Sequence, residues 1–174
     1  MPKIQLRLYR ANTSYIQYLQ SVDKDENGVT NVKDNEKNGS LRPYIGISMD
    51  NYTYYIPVCS KKNKHYNMKD SIDFIKLEDG AGLISVLNIN NMIPIPDNLV
   101  EIIDVNSEPE KQKFMLQKEI RQIRKKREQI IKSANDVYKI KTQHSENNPN
   151  LSSRCADFRL LEQKMSEYIA RNNL

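Results

Sequence analysis

The densest chemistry in this sequence lies in residues 57–69, PVCSKKNKHYNMK. Lys61, Lys62, Lys64 and Lys69 crowd around Cys59, Ser60 and His65, directly behind YTYYIPV, a run that reads as a β-strand. Ammonium and hydroxyl donors converging at a strand end can hold a phosphodiester by its non-bridging oxygens. They can also break one when the ester is RNA, because the 2′-hydroxyl is a nucleophile that the substrate brings with it. Cleavage then needs in-line positioning, stabilisation of a doubly charged phosphorane, and a proton for the departing 5′-oxygen. A lysine whose pKa is depressed by cationic neighbours supplies such a proton. The same run would serve equally as a basic loop that only keeps the protein in solution, and from composition the two readings stand level.

Other chemistries find less support. His65 and His144 are the only histidines, far apart and without the spacing that holds zinc. Cys59 and Cys155 match no metal or redox spacing. Asp70 and Asp73 are near neighbours, but no further acidic residues are placed to join them around a divalent ion, and no glycine-rich phosphate loop is present. A metal-dependent nuclease and an NTPase are both disfavoured, and neither metal nor cofactor is expected. The excess of Lys and Arg over Asp and Glu gives a net charge of +5, which favours a polyanionic partner. No stretch approaches the ~20 apolar residues of a membrane span. MPKIQLRLYR lacks a signal-peptide hydrophobic region. The expectation is a reduced, cytoplasmic protein with no membrane partner.

The elements that must position this chemistry follow from period and punctuation. Ile4, Leu6 and Leu8 alternate with polar residues as in a half-buried strand, and Asn12, Thr13 or Ser14 can cap a helix carrying Tyr15, Ile16, Leu19 and Val22. Residues 23–40 are polar, contain two glycines and no aromatic residue, and read as a long, mobile loop. RPYIGISM and YTYYIPV flank Asp50-Asn51, and SIDFIKL and GLISVLNI flank Glu78-Asp79-Gly80, so two hairpins are expected. NMIPIP, with its prolines, belongs at a sheet edge. The fold class is α+β: residues 1–105 form a compact, mostly antiparallel sheet curled toward a small barrel, all within one domain spanning 1–174.

From 109 to 143 the pattern is helical. Leu116, Ile120, Ile123, Ile130, Ala134 and Val137 recur at helical spacing. Lys111, Lys118, Lys125 and Lys132 fall seven apart, nearly opposite that stripe. Arg121 and its basic neighbours add charge that only Glu119 and Glu128 offset between residues 111 and 132. A solvated face and an electrostatic surface both fit. A linker over 144–154 and a last helix over 155–172 complete the chain.

Four segments together carry a resemblance. RPYIGI at 42–47, PVCSKKNKH at 57–65, KDSIDFIKL at 69–77 and LNINNMIPIP at 87–96 resemble, in that order, the ToxN/AbiQ family, and most closely its CptN branch. The resemblance implies a metal-independent endoribonuclease toxin of a type III toxin–antitoxin system, acting on cellular or phage RNA and leaving a 2′,3′-cyclic phosphate. It implies a MazF/Kid-like curled sheet with the long basic helix and the C-terminal helix packed on it. It also implies an inhibitor that is a small repeated RNA. This RNA is folded as a pseudoknot, processed by the toxin, and closed with it into a ring of three toxins and three RNAs.

The family's Thr-Ser-x-Lys segment falls on Cys59, Ser60, Lys61 and Lys62, with cysteine replacing threonine. Arg42 occupies the basic position before the IGI strand. The resemblance thus points to Ser60, Lys62, Arg42 and Cys59 as catalytic. Lys61, Lys64, His65 and Lys69, with Lys111, Lys118, Arg121, Lys125 and Lys132 on the helix, are expected to contact RNA. The tyrosine that some members carry in the preceding loop is missing from 24–40, leaving Tyr9, Tyr44 or Tyr66 to fill that role. A non-catalytic RNA-binding module and a duplex-DNA binder using the basic helix are the rival readings.

Overall fold

The structure, a computed structural model, describes residues 5–37 and 39–174. Ile4, expected in the first strand, lies outside them. Strand β1 runs Leu8–Ala11, followed by helix α1, Thr13–Val22, whose first turn is capped by the Asn12 side chain accepting from the Tyr15 amide at 3.0 Å. That cap satisfies one of the four amides a helix start leaves open. Tyr15, Ile16 and Leu19 fall on one face and are buried.

The described residues of the loop expected over 23–40 are pinned by hydrogen bonds and burial rather than mobile. Asn31 donates to the Cys155 carbonyl at 3.1 Å, Asn35 donates to that of Ala11 at 3.0 Å, and Val32 is buried. Short strands β2, Glu36–Lys37, and β3, Ser40–Leu41, pair there. The segment lacks aromatic anchors, so its order comes from asparagine and aspartate hydrogen bonds that hydrophobic periodicity does not register.

Both expected hairpins form: β4, Tyr44–Met49, with β5, Tyr52–Ser60, and β6, Phe74–Asp79, with β7, Gly82–Asn88. Asp50 takes a positive φ of 39° in the first turn. The proline-bearing β8, Ile93–Pro94, pairs with β5, and β9, Val100–Ile102, closes on β1. The main path runs β6-β7-β5-β4-β1-β9, a curled antiparallel sheet that stays open between its two ends.

The curl has a local cause in β5. Its first part pairs with β4 as far as Tyr44↔Pro57, and its last three residues, Val58, Cys59 and Ser60, pair with β7. Pro57 is the last residue in register with β4, and the Val58 amide still reaches the Pro43 carbonyl, just ahead of β4, at 2.9 Å as pairing with β7 begins. Ser60 is thereby delivered to the end of a strand that leaves the first half of the sheet.

The helical half of the chain covers the sheet. Helix α2, Glu110–Lys125, and helix α3, Arg127–Gln143, meet at Lys126, so the single helix expected over 109–143 is two segments. No Pro or Gly causes the break. Ile123 and Ile130 on either side are fully buried. Between them the Lys126 ammonium reaches the Lys76 carbonyl at 2.7 Å and Asp70 at 3.0 Å, tying the junction to β6 and the segment before it. The region expected as a linker contains helix α4, Pro149–Arg154, with proline in its first turn, where its missing amide costs nothing. Helix α5, Phe158–Asn172, starts at the Asp157 cap and packs Phe158 edge-on to Tyr54, ring centroids 5.4 Å apart. One cluster of buried residues spans strands and helices alike.

Candidate active site

The end of β5 opens into a cleft of about 310 Å³. Arg42, Cys59, Ser60, Lys62, Lys64 and His65 all line it. Arg42 stands just before β4. Its Nε donates to the Asp34 carbonyl at 2.8 Å and its Nη1 to the Cys59 sulfur at 3.2 Å, which fixes the guanidinium plane. Cys59 is buried in a small cluster with Phe74, Leu83 and Val86. Its sulfur faces the arginine, so it positions that cation. Ser60 next to it is exposed at the strand end.

Lys62 follows in the turn before the single 3-10 turn Asn63–Tyr66. Its amide donates to Nδ1 of His65 at 3.0 Å, while the His65 amide donates back to the Lys62 carbonyl at 2.9 Å. The imidazole is buried and lies against the Phe74 ring, centroids 5.4 Å apart. Burial first, then the charges of Lys64 and Lys62, hold its pKa below the usual histidine value. His65, expected as an RNA contact, has its Nδ1 occupied in holding Lys62 in place.

Other expected contacts divide. Lys61 turns away from the cleft: its ammonium donates to the Leu83 carbonyl at 2.7 Å and sits 5.9 Å from the Tyr66 ring centroid. Lys69 is exposed and does not line the cleft. On the helices, Lys118 pairs with Asp79 at 3.2 Å, and Lys132 pairs with Asp136 one turn on. Lys111, Arg121 and Lys125 are exposed on α2. Opposite them the apolar stripe is buried at Leu116, Ile123, Ile130, Ala134 and Val137. Of the tyrosines considered, Tyr9 packs edge-on to Tyr55, Tyr44 is buried and Tyr66 is exposed beside Lys61; none lines the cleft.

Sequence reasoning missed Lys33, Asp73, Asn91 and Arg154, which also line the cleft. Arg154, at the end of α4, donates from Nε and Nη2 to Asp73 Oδ2 at 3.1 and 3.0 Å. Ser71 holds the other oxygen of that carboxylate at 3.0 Å. The Asn90 side chain donates to the Arg154 carbonyl at 3.0 Å, tying α4 to the LNINN segment. The Asp70 carboxylate is occupied separately, by Lys126 and Gln129, each at 3.0 Å, and its pKa is held below the usual carboxylate range by hydrogen bonds that outweigh burial. The signal for Arg154 was an acidic residue between Ile72 and Phe74 of the apolar-rich KDSIDFIKL segment, since a carboxylate buried there calls for a cation. The partner lay 81 positions away.

The curled open sheet with its flanking helices is the fold of a protein class from bacterial type III toxin–antitoxin systems. One structure of that class, solved in work on selective toxin inhibition by a non-coding RNA pseudoknot, aligns with a TM-score of 0.83 at 26% identity, over 94% of this chain and 98% of that one. The lactococcal anti-phage endoribonuclease AbiQ shares the fold at TM-score 0.77 and 24% identity, over 95% and 99% of the two chains. In sequence, the profile of the ToxN toxins of type III toxin–antitoxin systems matches residues 7–166, and the chain belongs to that family. It is 27% identical over 175 residues to Endoribonuclease ToxN of Bacillus thuringiensis subsp. kurstaki, covering 95% of this chain and 86% of that one.

Proposed function

We propose that this chain is an endoribonuclease toxin whose cleft binds a scissile RNA phosphate between Ser60 and Arg42. The reading is carried by one observation: Arg42, Ser60 and Lys62 come from the approach to β4, the end of β5 and the following turn, yet line one cleft. The substrate's 2′-hydroxyl attacks phosphorus, the P–O5′ bond breaks, and the products are a 2′,3′-cyclic phosphate and a 5′-hydroxyl. The Lys62 ammonium gives its proton to the departing 5′-oxygen, while Arg42 and Ser60 hold the phosphorane oxygens. The proton of the attacking 2′-hydroxyl passes to solvent water, and solvent returns one to the lysine after the products leave. Lys33, Lys64 and Arg154 hold flanking phosphates, with Lys111, Arg121 and Lys125 on α2 extending the track. The reaction uses no metal ion.

The inhibitor is a small repeated RNA folded as a pseudoknot, released from its precursor by the same cleft and closed with the toxin into a ring of three proteins and three RNAs. The relative solved with a non-coding RNA pseudoknot as inhibitor supports that partner. Phage defence is the setting, as for the anti-phage relative. Expression of Lys62→Ala and Ser60→Ala tests the site. Both variants are expected to be well folded and nontoxic, and retained toxicity in both would remove the assignment. A folded wild-type protein that binds RNA without cutting it would favour the non-catalytic module.

A further inference from the structure

A second groove, about 210 Å³, adjoins the cleft and shares Arg42 and Ser60 with it. Leu41, Pro43, Val58, Met115 and Leu116 give it apolar walls, and Gln112 and Ser40 line it beside them, hydrogen-bonded to each other at 3.1 Å. One carboxyl interrupts them. Glu119, on the inner side of α2, is 7% exposed and lines the groove. Among the described residues no lysine or arginine pairs with it. Arg10, the other cation of the groove besides Arg42, is taken by Glu108 at 2.6 Å. The neighbour of Glu119 is Ser85, which stands directly across the ladder from Ser60.

A buried carboxyl without a cation costs several kcal/mol to keep ionised, so burial pushes its pKa up to about 7, with Ser85 easing it slightly. Nothing in the packing asks for an acid there. α2 already carries Leu116 and Ile123 inward, and a leucine would fill the same space without the desolvation cost. Such groups persist where a ligand supplies the missing partner.

The geometry points to a nucleobase slot: resting on the ribonuclease reading, we propose that the groove takes an amino-bearing base next to the scissile phosphate, with Glu119 accepting from its exocyclic amine. The largely apolar groove suits the face of a base, and the Arg42 and Ser60 that it shares with the cleft put the phosphate beside it. The single carboxyl distinguishes adenine, guanine and cytosine, which carry an amine, from uracil, which offers only its N3–H. Glu119 is then a specificity residue, reading the base while Lys62 and Ser60 handle the phosphate.

The test uses Glu119→Leu, which keeps the volume and removes the hydrogen bonds, with wild type alongside. A randomised RNA pool is cut and the new ends are sequenced. One position beside the cut is expected to favour adenine, guanine or cytosine over uracil, and the variant should lose about tenfold of that preference at that position only. Its melting temperature should rise, because the buried acid without a cation is gone. Titration of both proteins with AMP, GMP, CMP and UMP, followed by amide NMR shifts of residues 116–120, reads binding without cleavage. At least one amino-bearing nucleotide should move those signals in wild type but not in Glu119→Leu, and UMP should move them in neither. A preference against uracil that survives the substitution, or no response of residues 116–120 to any nucleotide, overturns the slot. Absence of cutting with intact nucleotide binding overturns only the ribonuclease reading.

Discussion

The amide of Lys62 donates to Nδ1 of His65, and that one bond sets where the lysine stands. A neutral imidazole can accept there; an imidazolium has only donors. Because burial and the charges of Lys64 and Lys62 lower the His65 pKa, the folded state favours the neutral ring. The stability this contributes is fully present above 6.5, the ordinary histidine value, and is lost as pH falls from there through the lower folded value. RNA cleavage should fall over the same window as the Lys62 turn loosens. Following the His65 ring protons by NMR alongside a pH–rate profile checks this. A His65 that titrates above 6.5, or a rate that is flat below it, contradicts the positioning role.

The Asp73–Arg154 pair makes a separate prediction. The Arg154 side chain is 52% exposed while that of Asp73 is 9% exposed, so the carboxylate anchors and the guanidinium reaches. Arg154→Ala removes one cation from the phosphate track and should lower kcat/KM by about 10²-fold. Asp73→Asn keeps the cation but loosens it, and should cost about tenfold, chiefly in KM. Equal losses from both, accompanied by a lower melting temperature, would reduce the pair to a structural tie between α4 and the sheet.

Salt separates a binding surface from a solvated one. Lys33, Arg42, Lys62, Lys64 and Arg154 line the cleft. If each neutralises one phosphate of a single strand, log affinity falls with log salt at a slope of about −3.5. Lys118 and Lys132 are held by acidic partners, so of the spaced basic residues Lys111, Arg121 and Lys125 remain to extend the footprint. The triple alanine variant at those three positions should flatten the measured slope by about 2 units. An unchanged slope means the helix face meets only solvent.

Much of this arrangement is legible in the sequence where period and punctuation agree. The two hairpins, the capped α1 and the buried stripe Leu116, Ile123, Ile130 of α2 and α3 follow from local patterns. The group that lines the cleft was visible because Cys59, Ser60 and Lys62 lie within four positions of one another. What escaped was carried by distant polar contacts. Asp73 finds Arg154 through the folded chain, Asn35 and Asn31 order a loop that has no apolar period, and two helical segments meet at Lys126 without Pro or Gly. Lys61 and Lys62 are neighbours of one type, and only the path of β5 into β7 decides which of them faces the cleft.

Stability rests in part on Glu162. Buried on α5, it accepts from the Tyr54 hydroxyl at 2.8 Å and the Tyr138 hydroxyl at 2.6 Å, joining β5, α3 and α5. Glu162→Ala strands both phenols, and with about 1–3 kcal/mol for each group left unsatisfied the loss should approach 3–4 kcal/mol in urea unfolding. A loss under 1 kcal/mol would show that the tyrosines find other partners.

Breakage of RNA by the substrate's own 2′-hydroxyl is tested by end-group analysis of RNA cut by purified protein in excess EDTA, with Lys62→Ala in parallel. Discrete cuts bearing 2′,3′-cyclic phosphate and 5′-hydroxyl ends are expected from wild type, and none from the variant. Ends carrying a 3′-hydroxyl and a 5′-phosphate, or cutting abolished by EDTA, would contradict it.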